Sequence, residues 1–270
     1  MERRMSDRLE ARILGCGSSG GVPRLGNRWG DCDPDEPRNA RTRCSLLLTR
    51  HGPGGITRVL IDTSPDLRAQ MLAAEVGALD GVIWTHAHAD HVHGIDDLRM
   101  IAFNMRARLQ CWADAPTTEA LMARFGYAFV TPAGSDYPPI CDLHPIGDEV
   151  VVDGAGGEIR LTPFDLVHGN ITALGLRCGP LAYLPDVNEI PAAAWPHLGG
   201  LDCLIVDALR RKPHPSHAHL ALTLDWIARA DPKRAVLTNM HFDLDYRSIA
   251  AETPAHVDPA YDGMTLCFDI

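Results

Sequence analysis

The sequence predicts an α/β protein in which sheet layers are covered by helices. Short apolar segments typical of strands alternate with helical patterns over the 270 residues. Polar residues suited to function repeatedly follow the predicted strands, as they do after Thr85, Leu184 and Thr238. Apolar residues make up 46% of the chain, which is enough for a sizeable core. A single domain can have this length, so we expect residues 1–270 to form one domain.

Four apolar segments in the first third of the chain predict strands: Ala11–Cys16, Cys44–Thr49, Arg58–Asp62 and Val82–Thr85. A turn rich in glycine and proline, His51–Gly55, joins the second of these strands to the third. A helix is predicted over Pro65–Ala74, because a proline fits well in a first helical turn. The last of the four strands leads directly into a group of histidines.

Eight further apolar segments predict strands: Leu109–Trp112, Val150–Val152, Ile159–Asp165, Ile171–Arg177, Leu181–Leu184, Cys203–Val206, Arg234–Thr238 and Thr265–Phe268. Two helices are predicted among them, at Thr117–Phe125 and Leu220–Ala230. The second helix carries apolar residues at helical spacing. This alternation of strands and helices is the basis of the α/β prediction.

The charge balance argues against long nucleic acids as partners. The formal net charge is −10, and an acidic protein repels a phosphate backbone unless basic residues cluster locally. Arg38, Arg41 and Arg43 lie close together in the sequence. A loose basic cluster of this kind is usually solvated surface, and we predict that outcome here.

The cysteines favour a reducing environment. All eight are scattered, and none forms a C-x-x-C pair. Several lie in apolar segments, as Cys203 does within Leu201–Val206, which favours buried free thiols over a disulfide framework. Residues 1–12 are charged and lack the apolar stretch of a secretion signal, and no run of 18 apolar residues occurs. We therefore expect a cytoplasmic protein without a membrane partner.

The segment Gly17–Arg43 is rich in glycine, proline, aspartate and arginine and poor in apolar residues. Loops of this length inside compact domains are usually functional or disordered. The residues Ser18–Gly21 fit two interpretations equally well. They can form a backbone nest for an anion, or a tight turn that only reverses the chain.

The strongest pattern is the group of metal-binding residue types at residues 86–91. His86, His88, Asp90 and His91 follow a short buried strand, and imidazole and carboxylate are natural ligands for zinc, manganese or iron. His86 and His88 are two residues apart, so in an extended segment both can reach one ion. Asp90 and His91 come where a helix would start and can turn toward a second ion. The sequence therefore predicts a metal site with two divalent ions.

This H-x-H-x-D-H pattern resembles the signature of the metallo-β-lactamase superfamily. The resemblance implies an αββα sandwich of two mixed sheets flanked by helices, with later ligands in the order histidine, aspartate, histidine. His168, Asp186 and His241 occur in that order at predicted strand ends. The resemblance implies that one ion is bound by His86, His88 and His168, the other by Asp90, His91 and His241, with Asp186 bridging.

A narrower resemblance is to PhnP-type phosphodiesterases, which open cyclic phosphates of ribose and are related to ribonuclease Z. It is carried by Gly15–Pro23, His91–Arg99, Pro213–His217 and Pro232–Thr238, and it extends from about Ile13 to Tyr246. Two features depart from that family. The first loop has only Cys32, so a structural zinc site is not expected there. Relatives commonly have histidine where this chain has Asn239, which leaves open whether Asn239 or His241 fills the last ligand position.

The resemblance implies hydrolysis of a phosphodiester in a small cyclic or nucleotide-like substrate by a hydroxide held between the metals. His217 matches the family's catalytic histidine and is the predicted general acid. The ligand Asp90 is the other predicted catalytic residue, whereas His214 and His219 are interpreted as polar loop residues. Family members often pair, so a homodimer stays open.

Three other functions stay open at this point. A thioester or lactone hydrolase would share the metal ligands but attack carbon. Processing of RNA 3′ ends would require a basic arm that this acidic chain does not obviously carry. The third alternative is a non-catalytic metal-binding sensor or carrier.

Overall fold

The computed structural model describes residues 7–270. The chain divides into two compact units. The first unit contains Ser45–Arg160, Thr265–Ile270 and the described residues up to Leu14, and the second contains Gly15–Cys44 and Leu161–Met264. Two mixed sheets with accompanying helices confirm the predicted fold class. The expectation that residues 1–270 form one domain stays a prediction.

The strands are β1 (Arg8–Gly15), β2 (Ser45–Gly52), β3 (Gly55–Ile61), β4 (Gly81–Ile83), β5 (Leu109–Ala113), β6 (Cys141–Pro145), β7 (Val150–Val152), β8 (Ile159–His168), β9 (Ile171–Cys178), β10 (Leu181–Leu184), β11 (Cys203–Asp207), β12 (Arg234–Thr238), β13 (Val257–Pro259) and β14 (Thr265–Asp269). The helices are α1 (Leu67–Ala73), α2 (Ala89–Val92), α3 (Leu98–Met105), α4 (Ala115–Phe125), α5 (Leu220–Ala230) and α6 (Tyr246–Glu252). Within residues 7–270, every helix is too short or too polar to cross a membrane.

The sheet of the first unit has the strand order β14-β1-β2-β3-β4-β5-β6. Strands β3, β4 and β5 run parallel, and Ile61 at the end of β3 pairs with Ile83 at the end of β4. The chain therefore leaves both strands at the same edge of the sheet. The apolar core of this unit includes the fully buried Trp84, Leu98 and Val82. This packing fixes the start of the segment that carries the histidine group.

The sheet of the second unit runs in the order β13-β12-β11-β10-β9-β8. Strands β10, β11 and β12 are parallel, with Leu184 paired to Val206 and Asp207 paired to Thr238. All three strands are buried along nearly their whole length, as the apolar runs in the sequence predict. Their carboxyl ends therefore lie side by side, and the side chains that follow them share one edge of the sheet.

Four elements were not expected from the sequence: α3, α6, β6 and β13. β6 is mostly half-buried and ends at Pro145, so it shows neither an apolar run nor a clean alternation. β13 has three residues and also ends in a proline. α6 buries only Ile249 and gives almost no apolar periodicity. These elements depend on contacts that are distant in sequence.

The segment between Gly17 and Arg43 is anchored to the rest of the second unit. The prediction that its arginines are solvated surface is wrong for Arg41, which is 2% exposed. Its Nη2 donates to the carbonyl oxygen of Leu244 at 2.8 Å and to Oδ1 of Asn39 at 3.1 Å. Buried carbonyl groups need donors, and a guanidinium supplies several in a fixed geometry. Arg41 thus ties the segment to the chain that leads into α6.

The cysteines follow the prediction with one exception. None of the eight, which all lie within residues 7–270, forms a disulfide; seven are buried, and Cys267 is exposed. Cys32 is buried near Arg41, whose Nη1 lies 3.9 Å from its Sγ. Burial, as the largest effect, raises the pKa of the Cys32 thiol. The protonated thiol is thereby favoured over the thiolate that zinc would require.

Candidate metal centre

The first unit presents the histidine group at the end of β4. His86 and His91 are buried, and His88 is exposed at the position that precedes α2. The ring centroid of His86 lies 4.7 Å from that of His88 and 4.2 Å from that of His91. Asp90 lies in the first turn of α2, with its carboxylate 3.7 Å from Nε2 of His91. The predicted turn into a helix at Asp90 is therefore present, and all four side chains are close neighbours.

A fully buried carboxylate, Asp62, organises this group. Its Oδ2 accepts hydrogen bonds from Nδ1 of His91 at 2.7 Å and from the hydroxyl of Thr85 at 2.8 Å, and its Oδ1 accepts from the Thr85 N–H at 2.8 Å. Because the Thr85 hydroxyl donates to Asp62, it accepts from Nδ1 of His86 at 3.0 Å. Nδ1 is then the protonated nitrogen in both imidazoles, and Nε2 carries the lone pair.

The second unit contains His168, the last residue of β8, and Asp186, which follows β10. Both side chains are buried, and Nε2 of His168 lies 3.4 Å from Oδ2 of Asp186. Nδ1 of His168 donates to the carbonyl oxygen of Ser216 at 2.5 Å. The same tautomer results as for His86 and His91, with the lone pair on Nε2, which faces the Asp186 carboxylate.

His217, whose side chain is partly exposed, forms a hydrogen-bonded pair with the fully buried Asp207, the last residue of β11. Nδ1 of His217 donates to Oδ2 of Asp207 at 2.8 Å, and the Val187 N–H donates to the same oxygen at 3.1 Å. Burial raises the pKa of Asp207 to about 7, although the hydrogen bond from His217 acts in the opposite direction. The imidazole of His217 also lies 3.8 Å from Oδ2 of Asp186, and its centroid is 4.5 Å from that of His168.

Asn239 follows β12 and lies against Asp186. Its amide nitrogen is 3.1 Å from Oδ1 of Asp186, 3.2 Å from the carbonyl oxygen of Pro185 and 3.2 Å from Nδ1 of His217. The two amide hydrogens go to the two oxygens, because Nδ1 of His217 already donates to Asp207. Asn239 has a φ of 58°, a conformation that asparagine adopts more readily than most residues. It therefore orients the carboxylate of Asp186 directly.

His241 has other partners. Its Nε2 accepts from Nη2 of Arg24 at 2.5 Å, and its Nδ1 donates to Oδ1 of Asp243 at 3.0 Å. Both ring nitrogens are thus engaged by protein groups, so this arrangement does not favour the prediction that His241 is a metal ligand. His214 lies 5.1 Å from the His217 ring, and His219 precedes α5 without capping it. The interpretation of these two as polar loop residues stays a prediction.

Three functional candidates escaped the sequence prediction. Asp62 and Asp207 each stand at the end of a buried strand that runs parallel to a strand leading into predicted ligands. Their position at a strand end could have identified them, because neighbouring parallel strands bring their terminal residues to the same edge of the sheet. An aspartate after a strand is, however, also a common turn residue. Arg24 had no comparable signal, since it lies in the irregular segment between Gly17 and Arg43.

Comparison with known proteins gives one family match. Residues 57–242 match the family described as the Beta-lactamase superfamily domain. The chain is similar to the solved structure of a new diphosphatase from the PhnP family, with a TM-score of 0.85, 32% identity and 97% of each chain covered.

Curated relatives are longer than this chain. An octanoyltransferase of Porphyromonas gingivalis (strain ATCC BAA-308 / W83) is 32% identical over 264 residues, which cover 95% of this chain and 51% of that protein. Ribonuclease Z of Mycobacterium sp. (strain KMS) is 28% identical over 134 residues, 43% of this chain and 47% of that protein. The chain thus spans about half the length of the curated relatives it matches.

Proposed function

Because the chain belongs to the Beta-lactamase superfamily domain family and, within it, to the PhnP family, we propose that it is a two-metal hydrolase of small phosphate esters. The scissile bond is a phosphodiester or a diphosphate linkage. The observation that carries this proposal is the hydrogen-bonded Asp207–His217 pair beside Asp186. The pair supplies a positioned proton donor next to a carboxylate of the expected ligand set. A protein that only carries metal has no need of such a proton donor.

The proposed donor set suits divalent transition metals. His86, His88, His168 and Asp186 offer three imidazoles and one carboxylate, the usual ligands of zinc and also acceptable to manganese or iron. His86, His91 and His168 each donate their Nδ1 hydrogen to an oxygen. Histidines that bind metals through Nε2 are typically oriented in this way. The residues of this chain therefore fit the metals that the family implies.

The proposed ligand roles follow the sequence prediction except at the last position. His86, His88 and His168 would hold one ion, Asp90 and His91 would hold the other, and Asp186 would serve both. Asn239 would act as a supporting group that orients Asp186 through its amide, and no ligand role is proposed for His241, whose ring contacts Arg24 instead. Bound ions would lower the pKa of water to about 7 and neutralise charge on the phosphoryl oxygens.

In the proposed reaction the Asp207–His217 pair handles the proton of the leaving group. Asp207 accepts from Nδ1 and so keeps Nε2 as the nitrogen that can present a proton. A positioned imidazole of this kind contributes about 10²–10⁴-fold to the rate. The ligand Asp90 remains a proposed catalytic residue through its place next to His91.

The experiment that tests the proposal is elemental analysis of the purified protein joined to a substrate screen. We expect about two equivalents of zinc, manganese or iron per chain and metal-dependent release of p-nitrophenol from bis(p-nitrophenyl) phosphate. Removal of the metals with a chelator should abolish that release, and their return should restore it. Bound metal without turnover of any phosphate ester would leave a carrier or sensor as the better description.

One observation favours a second candidate, hydrolysis of an acyl thioester. The relative of Porphyromonas gingivalis, which matches nearly the whole of this chain, is named for the transfer of an octanoyl group. Octanoyl-coenzyme A should therefore be assayed beside the phosphate esters with the same enzyme preparation. If the protein hydrolyses the thioester and none of the phosphate esters, thioester hydrolysis becomes the better description of its function.

A further inference from the structure

A glycine-rich turn near the start of the second unit is flanked by two guanidinium groups. The N–H of Gly21 donates to the carbonyl oxygen of Ser18 at 2.8 Å and closes the turn. A Cβ added to Gly20 would lie 3.1 Å from Nε of Arg24, and one added to Gly21 would lie 3.9 Å from Nη1 of Arg43. A Cβ on Gly21 would also lie 3.2 Å from the carbonyl oxygen of Arg41, so the missing side chains let both arginines pack close to the turn.

Arg24 is held in position by groups that do not neutralise its charge. Its Nη2 donates to Nε2 of His241, and its guanidinium lies 4.4 Å from the centroid of the Phe242 ring. His241 is itself fixed by Asp243, to which its Nδ1 donates. Within residues 7–270, no carboxylate pairs directly with Arg24. A guanidinium held this way can give its remaining N–H donors to an anion in a fork geometry.

Ser18 supplies an independent indication of a ligand. The residue is 3% exposed, and its hydroxyl has no hydrogen-bond partner among the described residues. Buried hydroxyl groups nearly always have a partner. A phosphate oxygen bound beside the turn would provide one.

The turn is joined to the segment that carries Asn239. The Ser18 N–H donates to the carbonyl oxygen of Met240 at 3.2 Å, and the Met240 N–H donates to the carbonyl oxygen of Cys16 at 2.8 Å. Asn239, the preceding residue, donates to Asp186. Met240 is thus hydrogen-bonded to the turn, and its neighbour Asn239 is hydrogen-bonded to the proposed ligand Asp186. These two consecutive residues connect the turn to the proposed catalytic groups of the second unit.

We infer that Ser18, Arg24 and Arg43, with the backbone at Gly20 and Gly21, form an anion subsite for a second phosphate group of the substrate. His241 is a positioning residue that holds Arg24. The inference rests on the proposed function and narrows it to substrates that carry a further phosphate beside the one attacked, such as diphosphate diesters. It also gives His241 a role other than metal binding.

The test compares two substrates that differ by one phosphate group, bis(p-nitrophenyl) phosphate and P1,P2-bis(p-nitrophenyl) diphosphate. Arg24→Gln in the metal-loaded protein should lower kcat/KM on the diphosphate at least tenfold and at least five times more than on the monophosphate. Arg24→Lys, which keeps the charge, should recover part of the loss. Arg28→Gln removes the same charge from an exposed position of the same segment and should change the ratio less than twofold.

Gly20→Ala provides a variant that removes no charge. The added methyl group would lie 3.1 Å from Nε of Arg24 and displace the guanidinium. The ratio of kcat/KM on the diphosphate to kcat/KM on the monophosphate should therefore fall. Circular dichroism melting of each variant shows whether the fold is intact. Equal losses on both substrates, or no loss in Arg24→Gln, would overturn the subsite.

Failure of the proposed function has a different signature. If the wild-type protein cleaves neither ester, the dissociation constants of the same two compounds are measured by titration calorimetry. An Arg24→Gln variant that then binds the diphosphate at least tenfold more weakly supports the subsite, although the hydrolase proposal fails. Unchanged binding in that variant contradicts the subsite as well.

Discussion

Oδ2 of Asp62 and Nδ1 of His91 lie 2.7 Å apart, and both side chains are fully buried. Asp62 also accepts two hydrogen bonds from Thr85, whose hydroxyl in turn accepts from His86. One carboxylate therefore sets the tautomer of two predicted ligands. Such supporting groups commonly influence metal affinity nearly as strongly as the ligands do.

Asp62→Asn should weaken metal binding without removing a ligand. Both oxygens of Asp62 accept hydrogen bonds, whereas an amide has only one accepting oxygen, so at least one of the bonds that fix Thr85 and His91 is lost. We expect the affinity for zinc or manganese to fall by about 10–100-fold, measured by competition with a chromogenic chelator. Asp142→Asn, at a half-buried site on β6 in the same unit, is the control. Equal affinities for the two variants would contradict the supporting role of Asp62.

His217→Ala should separate chemistry from metal binding. The variant is expected to keep its bound metal and to lose about 10²–10⁴-fold in turnover of bis(p-nitrophenyl) phosphate. Asp207→Asn should cause a smaller loss in the same direction, because the amide cannot stabilise a protonated imidazole. His219→Ala, a neighbouring histidine outside the hydrogen-bonded pair, is the control. A parallel fall of metal content and activity in His217→Ala would refute the general-acid role.

Asn239 and His241 can be distinguished by their metal content. Asn239→Ala removes the donor that orients Asp186, and we expect the affinity for metal to fall about tenfold, at the lower end of the range for supporting groups. His241→Ala should keep the wild-type metal content, since that ring contacts Arg24 and Asp243 instead. Metal is counted by mass spectrometry after dialysis. Loss of one equivalent in His241→Ala would instead support the ligand role that the family resemblance implies.

Asp245 gives a prediction about stability and pH. Its Oδ1 accepts from the Ser248 N–H at the start of α6, and its Oδ2 accepts from Asn39 at 2.7 Å. Burial alone would raise the pKa of Asp245, but hydrogen bonds from Ser248, Asn39 and Asp33 outweigh it and lower the pKa to about 2. The ionised carboxylate therefore stabilises the fold above pH 3.8, and this stabilisation is lost as the pH falls toward about 2.

Asp245→Ala should lower the free energy of unfolding by about 1 kcal/mol at pH 7, the usual contribution of a helix N-cap. The difference from the wild type should shrink as the pH falls from 3.8 toward about 2, because the carboxylate of the unfolded chain takes up a proton in this range while the native carboxylate stays ionised. Urea denaturation at several pH values between 3 and 7 measures both effects. Asp225→Ala, an exposed aspartate within α5, should show neither. A difference that is independent of pH would contradict the role of the ionised carboxylate.

The sequence allowed prediction of the site where histidine or aspartate residues stand at the end of a strand. The histidine group after β4, His168 at the end of β8 and Asp186 after β10 all follow apolar strands whose burial was evident from composition. The family match confirms the resemblance that these positions suggested. Such positions are readable because a buried strand and its terminal polar residue are both local features.

The parts that escaped prediction depend on distant contacts. Asp62 supports His91 only because β3 and β4 are parallel and in register, which no local pattern of residues reveals. Arg41 is buried by carbonyl groups some 200 positions away in the sequence, where a basic cluster suggested solvated surface. His241 lies two residues from Asn239, yet its partners are set by Arg24 in another part of the second unit.

The central proposal is that His86, His88 and His168 bind the same metal ion. X-ray diffraction from crystals of the metal-loaded protein, recorded at the absorption edge of the bound metal, measures this directly. The account predicts an anomalous peak bonded to Nε2 of His86, His88 and His168, at about 2.0–2.1 Å if the metal is zinc. A peak bonded to groups of one unit only, or the absence of any peak near His86, would contradict it.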